Sequence, residues 1–188
     1  MAPTVTSARI SLGDLTPNNI GQLRVLNKVL FPVSYSDKFY KEVLEVEEFA
    51  KLAYFNDVCV GAVCCREEPI DTNDKAAKLY IMTLGVLKPY RGQGVGKTKH
   101  KPIRHLSLWH IVDLITVAGK QLLDHILEHA AKDKDSNITE VYLHVQTTNQ
   151  EALSFYKNHG FEITGTTNNY YKNIDDKDAH VLSKSINQ

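Results

Sequence analysis

Arg91, Gly92, Gln93, Gly94, Val95 and Gly96 form the stretch whose residue types most directly suggest chemistry. Glycines at alternate positions let successive backbone N–H groups converge on one concavity, and a helix beginning just after them adds its unpaired N–H groups to the same positive potential. With the Arg91 cation at its head, this turn suits a pyrophosphate. The same residues also read as a plain strand-to-helix connection, because short glycine-rich turns are common. They do not make a nucleoside-triphosphate P-loop, since Lys97 follows only a short glycine run. They fit the dinucleotide fingerprint poorly too, because the glycines are spaced GxGxG and Pro89 and Tyr90 interrupt the approach.

The elements around this turn follow from patterning. Leu79, Tyr80, Ile81, Met82, Thr83, Leu84 and Val86 form an apolar, β-favouring run, and Pro89 forbids a helix across the junction, so the turn is entered from a strand. Upstream, residues 9–12 are a short strand candidate. Thr16 and Pro17 offer a cap with proline at the first helical position, and Ile20, Leu23, Leu26, Val29 and Leu30 recur on one helical face. Pro32 stops that helix at Phe31-Pro32-Val33, a bend whose apolar side chains either fill the core or wall a pocket. A second short helix is expected over residues 37–44. Strands at residues 51–55 and 58–65 flank Asn56-Asp57, a pair suited to a two-residue hairpin, and residues 67–76 read as a solvated loop.

After the turn, residues 120–132 carry Leu122, Leu123, Ile126, Leu127 and Ala130 on one broad helical face. Ile138, Val141, Leu143 and Val145 mark a strand that also holds Tyr142 and His144. Thr148 and Glu151 have capping-box spacing before a helix ending at Gly160, and further strands are expected at residues 161–164 and 179–182. A hairpin between those strands brings Asn169-Tyr170-Tyr171 toward the aromatic bends. The order implies a mixed sheet with antiparallel neighbours.

At 188 residues the chain suits one domain with a sizeable core, and 22 Lys and Arg against 22 Asp and Glu leave no basic surface that would point to nucleic acid. Cys59, Cys64 and Cys65 lie in apolar sequence without a zinc-type pattern, as expected of reduced buried thiols in a cytoplasmic or nuclear protein. Neither a signal core nor a membrane-spanning run is expected.

With the glycine turn, the His144 strand and the helix over residues 149–160 in hand, the sequence resembles the GCN5-related N-acetyltransferase (GNAT) superfamily. Arg91 to Gly96 matches its R/Q-x-x-G-x-G/A acetyl-CoA loop, and Asn149, Ala152, Leu153, Phe155, Tyr156, Gly160 and Phe161 match its closing motif. The runs FPVSY from Phe31, LAYFN from Leu52, YIMTLG from Tyr80, YLHV from Tyr142 and NYYK from Asn169 are similar to the family's protein N-terminal acetyltransferases. The resemblance implies an α/β fold, a mixed central β-sheet flanked by helices with a splayed central strand pair forming the acetyl-CoA cleft, over residues 8–184.

It also implies transfer of acetyl from acetyl-CoA, without a metal, to the α-amine of N-terminal peptides that retain methionine before a hydrophobic residue. Phe31, Pro32, Val33, Tyr35, Met82, Tyr170 and Tyr171 would hold the first residues of the peptide. Tyr80 and His144 would hold a water that deprotonates the amine, and Tyr156 would act as general acid toward the thiolate. Leu84, Val86, Asn149, Tyr156 and the residues Arg91, Gly92, Gln93, Gly94, Val95 and Gly96 would bind acetyl-CoA. Association with NatA-type auxiliary and catalytic subunits near the ribosome is a further implication. Alternatives are a lysine acetyltransferase on the same fold and a catalytically impaired interaction subunit.

One segment departs from the pattern. In the family the glycine loop runs directly into the long helix, but here residues 98–119, TKHKPIRHLSLWHIVDLITVAG, intervene. Removing residues 98–120 would join Lys97 directly to Gln121, restoring that junction with a single lysine. The abruptness favours an in-frame extension, such as a splice product or a retained intron. The other reading is a true inserted element, in which Leu106, Leu108, Trp109, Ile111, Val112 and Ile115 make a short apolar helix. Either way the segment separates the pyrophosphate loop from the helix N-terminus that should assist it, so weakened acetyl-CoA binding is expected.

Overall fold

The computed structural model describes residues 10–70, 76–90, 108–133, 137–172 and 176–186, with residues 108–116 described as backbone only. The described strands are β1 (Ile10–Asp14), β2 (Ala50–Phe55), β3 (Val58–Pro69), β4 (Ala77–Val86), β5 (Ile138–Gln146), β6 (Glu162–Thr167) and β7 (Ala179–Ser185). They form one sheet in the order β1-β2-β3-β4-β5-β7-β6. Only the β4–β5 pair is parallel among these neighbours, which makes the sheet mixed. The helices are α1 (Ile20–Leu30), α2 (Asp37–Glu42), α3 (Leu108–Lys132) and α4 (Gln150–Asn158).

Both faces of the sheet are covered. Leu23 and Leu26 of α1 and Phe39 and Tyr40 of α2 pack with Leu52, Ala62 and Cys64. On the other face, Leu122, Leu123, Ile126 and Ala130 of α3 and Leu153 and Tyr156 of α4 pack with Val63, Cys65, Leu79, Ile81 and Val141. This double covering explains why adjacent Cys64 and Cys65 are both buried: they contribute to opposite layers of a central strand. Burial pushes the Cys64 thiol up to about 12, so it acts as a small apolar side chain.

Several local expectations change. Thr16 does not cap α1; its carbonyl accepts from the N–H groups of Asn19 and Ile20, Pro17 sits in the preceding turn, and the helix begins at Ile20. Val29 points to solvent at 68% exposure, and Asn27 takes a place in the buried stripe instead. The side-chain cap of α4 is Asn149, whose Oδ1 accepts from the N–H of Ala152 at 3.1 Å, so Thr148 is displaced from that role. β3 runs on into the start of the expected loop, to Pro69, because β4 pairs with it as far as Pro69↔Ala77.

The largest difference concerns the long helix. α3 starts at Leu108 and runs unbroken to Lys132, so the later part of the unusual segment is continuous with the helix expected from residue 120. The hairpin expectation holds at Asn56 and Asp57, which take φ of 44° and 67°, the left-handed conformations a tight two-residue turn demands.

Candidate active site

The parallel β4–β5 ladder ends early. Its last pair is Tyr80↔Tyr142, yet β4 continues to Val86 and β5 to Gln146. On their outer sides both strands stay paired, β4 with β3 and β5 with β7, so the sheet splits between them like a V. Such a break at the carboxyl ends of parallel strands is where open α/β sheets take ligands. It opens a cavity of about 930 Å³.

The two ends of the cavity differ in chemistry. At one end stand Phe31, Pro32, Val33 and Tyr35, which follow α1, together with Met82 of β4 and Tyr170 and Tyr171 of the β6–β7 connection. Gly85 lies against this wall: a Cβ there would stand 2.9 Å from Leu30 Cδ1 and 3.0 Å from Phe31 Cζ, so a larger residue would push those side-chain tips away from β4. Tyr35 packs edge-on to Phe31 and lies 4.6 Å from the Phe39 ring. At the other end the lining includes Leu84, Val86, Gly119, Asn149, Phe155 and Tyr156. All substrate-pocket and catalytic residues expected from the sequence therefore line one cavity, along with Leu84, Val86 and Asn149. The expected contacts at Arg91, Gly92, Gln93, Gly94, Val95 and Gly96 lie outside the described residues.

Between the two ends sits a coupled aromatic group. The strand period of two places Tyr142 and His144 on one face of β5, and Tyr80 stands opposite Tyr142. His144 stacks on Tyr170 with ring centroids 4.1 Å apart and planes 9° from parallel. The hydroxyls of Tyr80 and Tyr170 are 2.7 Å apart. Burial, reinforced by that hydrogen bond, holds the Tyr80 phenol far above its usual range, so it stays protonated. His144 has its pKa lowered by burial, a shift opposed by the Glu68 carboxylate, so the ring is neutral at pH 7. Its Nδ1 is buried without a hydrogen-bond partner among the described residues. An orphaned imidazole nitrogen in a ligand-sized cleft is unusual in a finished core and fits a site that is completed by what it binds.

Sequence reasoning missed part of this group. Tyr142 donates to Glu68, and Glu68 is also bound by Arg66, whose guanidinium lies 5.6 Å from the Tyr80 ring centroid. The available signal was periodicity: Tyr142 is two residues from His144 and so shares its face. Glu68 was hidden because residues 67–76 read as a loop.

Tyr156 is 5% exposed, and burial raises its phenol far above the usual range. The fit to acetyl-CoA rests on several features of this end: a cleft between splayed strands, the apolar side chains of Leu84 and Val86, and the amide of Asn149. Its Oδ1 is held by the Ala152 N–H, which leaves the amide N–H groups to offer a ligand.

Three comparisons with known proteins bear on this geometry. The sequence model of the Acetyltransferase (GNAT) family matches residues 20–99 and 118–161. The chain belongs to that family, whose match breaks across residues 100–117, inside the unusual segment. Within the family it groups with the N-alpha-acetyltransferase 50 and San proteins. It is 50% identical to "N-alpha-acetyltransferase 50" of Danio rerio over 178 residues, covering 95% of this chain and 89% of that one. It is 47% identical to "Probable N-acetyltransferase san" of Drosophila melanogaster, covering 97% and 84% respectively. Its fold matches Arabidopsis thaliana Naa50 in complex with the bisubstrate analogue CoA-Ac-MVNAL, with a TM-score of 0.75 and 44% identity over 96% of this chain and 100% of that chain.

Proposed function

We propose that this chain is an N-terminal protein acetyltransferase that moves the acetyl group of acetyl-CoA onto the α-amine of a peptide entering the aromatic end of the cleft. The observation that carries this reading is the split of β4 from β5 with Tyr80 and His144 at its throat, between an apolar peptide pocket and the Asn149–Tyr156 end. Acetyl-CoA supplies the activated acyl group as a thioester.

The residues divide the work as follows. The apolar pocket formed by Phe31, Val33, Tyr35 and Met82 suits a methionine side chain, and the peptide part of the analogue bound by the Arabidopsis relative begins with Met-Val. An α-amine has a pKa of about 8, so roughly a tenth of it is neutral at pH 7 and the base need only accept one proton. Neutral His144 takes that proton through a water oriented by the Tyr80 hydroxyl, and Tyr170 holds both rings in place. In this reading a backbone N–H from the Leu84 to Val86 segment stabilises the carbonyl oxygen as it gains charge.

Tyr156 faces a different demand. A thiolate has a pKa of about 8.5, well below that of this buried phenol, so full proton transfer from the phenol is uphill. Tyr156 therefore acts as a hydrogen-bond donor to the departing sulfur.

Binding of the pyrophosphate is where this chain departs from its relatives. With α3 beginning at Leu108, the peptide N–H groups near Gly119 and Lys120 are used inside the helix. The described start of α3, Leu108, stands about 17 Å from Gly119, at 1.5 Å per residue. Arg91 and the glycine turn must hold the phosphates without that help, so affinity for acetyl-CoA is lower than in a form lacking residues 98–119. Residues 8–184 constitute the catalytic domain and residues 98–119 an insertion within it. A cytoplasmic or nuclear location and association with auxiliary subunits near the ribosome fit an enzyme acting on protein N-termini.

The test is acetyl transfer to two peptides, one beginning Met-Val and one with a blocked N-terminus and an internal lysine. Preference for the first by more than about tenfold supports the reading. Preference for the lysine peptide would instead make the chain a lysine acetyltransferase.

A further inference from the structure

Outside the cleft, ligating side chains from two elements converge. His125 and His129 lie four residues apart on one face of α3, and the short 3₁₀ turn Glu47–Phe49 presents Glu48 to them. Glu48 Oε2 is 3.1 Å from His125 Nε2 and 3.4 Å from His129 Nε2. One ligand atom from each of the three residues lies within 4.8 Å of the others, and none of the three lines the cleft. A tetrahedral zinc ion holds N and O donors at about 2.0–2.2 Å, which sets them roughly 3.3–3.6 Å apart. The His129 separation falls within that range and the His125 separation just below it.

Tautomers sharpen the point. His129 Nδ1 lies 2.8 Å from the carbonyl oxygen of His125, which can only accept, so Nδ1 carries the hydrogen. In the neutral ring Nε2 then directs its lone pair toward a carboxylate oxygen, and two acceptors face each other. Only a cation between them, or a second proton on the ring, relieves that contact. The Nδ1 bond is also the outer-shell bond that metal-ligating histidines make. His125 Nε2 is 3.1 Å from the Glu48 carbonyl oxygen, so its neutral ring must move one hydrogen to Nδ1 to become a ligand. Lys51 opposes the site, since its Nζ is 2.9 Å from Glu48 Oε2, but Asp14 at 2.6 Å keeps that ammonium paired.

We infer that Glu48, His125 and His129 form a site for a zinc-class divalent cation that clamps α3 to the turn before β2, with the remaining coordination position open to solvent. The side chains of His129 and Glu48 are 32% and 49% exposed, which gives an ion a route in.

The test is calorimetric titration of tag-free, chelator-stripped full-length chain with zinc chloride, and separately with magnesium chloride. The wild type is expected to bind zinc saturably at one ion per chain, with no saturable binding of magnesium. His129→Ala, a partly exposed helix position that tolerates alanine, is expected to weaken zinc binding at least about tenfold. Lys51→Met, which removes the competing ammonium, is expected to tighten it. No saturable zinc binding by the wild type overturns the inference. Equal affinities for the wild type and His129→Ala overturn it too, and would assign His129 as a protonated counterion of Glu48.

Discussion

The peptide end and the cofactor end of the cleft rest on the same two strands, yet they are expected to respond differently to residues 98–119, the later part of which forms the start of α3. The peptide end is made of side chains fixed by neighbours: Gly85 admits Phe31, Tyr170 stacks on His144, and Tyr80 bonds to Tyr170. None of these contacts depends on where α3 begins. The cofactor end depends on backbone, because an anion at a helix N-terminus needs N–H groups that the helix itself has not used. In this chain α3 passes the cleft at Gly119 as mid-helix, with the site of an added Cβ 3.7 Å from Phe155 and 3.8 Å from Val86. A site built from side chains should survive a change of helix length, whereas one that draws on a helix end should be weakened when the helix is extended.

That contrast can be broken from either side. The largest effect is expected at the throat. His144→Ala should lower kcat by about 10²–10⁴-fold with acetyl-CoA binding unchanged, as followed by single-turnover kinetics and calorimetry. Phe31→Ala should act on the peptide end alone. It removes apolar contact worth about 1.5–3 kcal/mol and should raise KM for a Met-Val peptide by roughly 10–100-fold without altering acetyl-CoA affinity. An equal loss of acetyl-CoA affinity would show that the two ends are not separable.

A pH profile gives a smaller and more specific signal. Because burial lowers the pKa of His144 from 6.5, its neutral form persists to lower pH than in a free imidazole. The acid limb of kcat should therefore fall below pH 6.5. Glu68→Gln removes the carboxylate that opposes the shift, so the limb should move further down; movement upward would contradict the assignment. The smallest effect belongs to Tyr156→Phe, expected to slow turnover by only about three- to tenfold, because a thiolate leaves readily and loses one hydrogen bond.

Much of this site was legible in the sequence because its residues sit on strongly patterned elements. The run from Leu79 to Leu84 has no competing reading as a helix before Pro89, and its alternation fixes which side chains share a face with Tyr80. Capping was harder to read, since Thr16 and Thr148 each have suitable chemistry but Asn19 and Asn149 take the positions next to the helices. Glu68 was lost to a boundary: turn-forming residues suggested a loop where pairing with β4 carries β3 on to Pro69. The start of α3 could not be read from periodicity alone, because residues 106–119 are apolar enough to continue a helix or to stand apart from one.

The most direct measurement is calorimetric titration of acetyl-CoA into the purified 188-residue chain beside a form lacking residues 98–119. The account predicts that the deletion form binds at least about tenfold more tightly, with both forms binding at one site, as expected if a helix N-terminus is restored to the phosphates. Equal dissociation constants would contradict it, and would mean that the glycine turn holds the phosphates without any contribution from the start of α3.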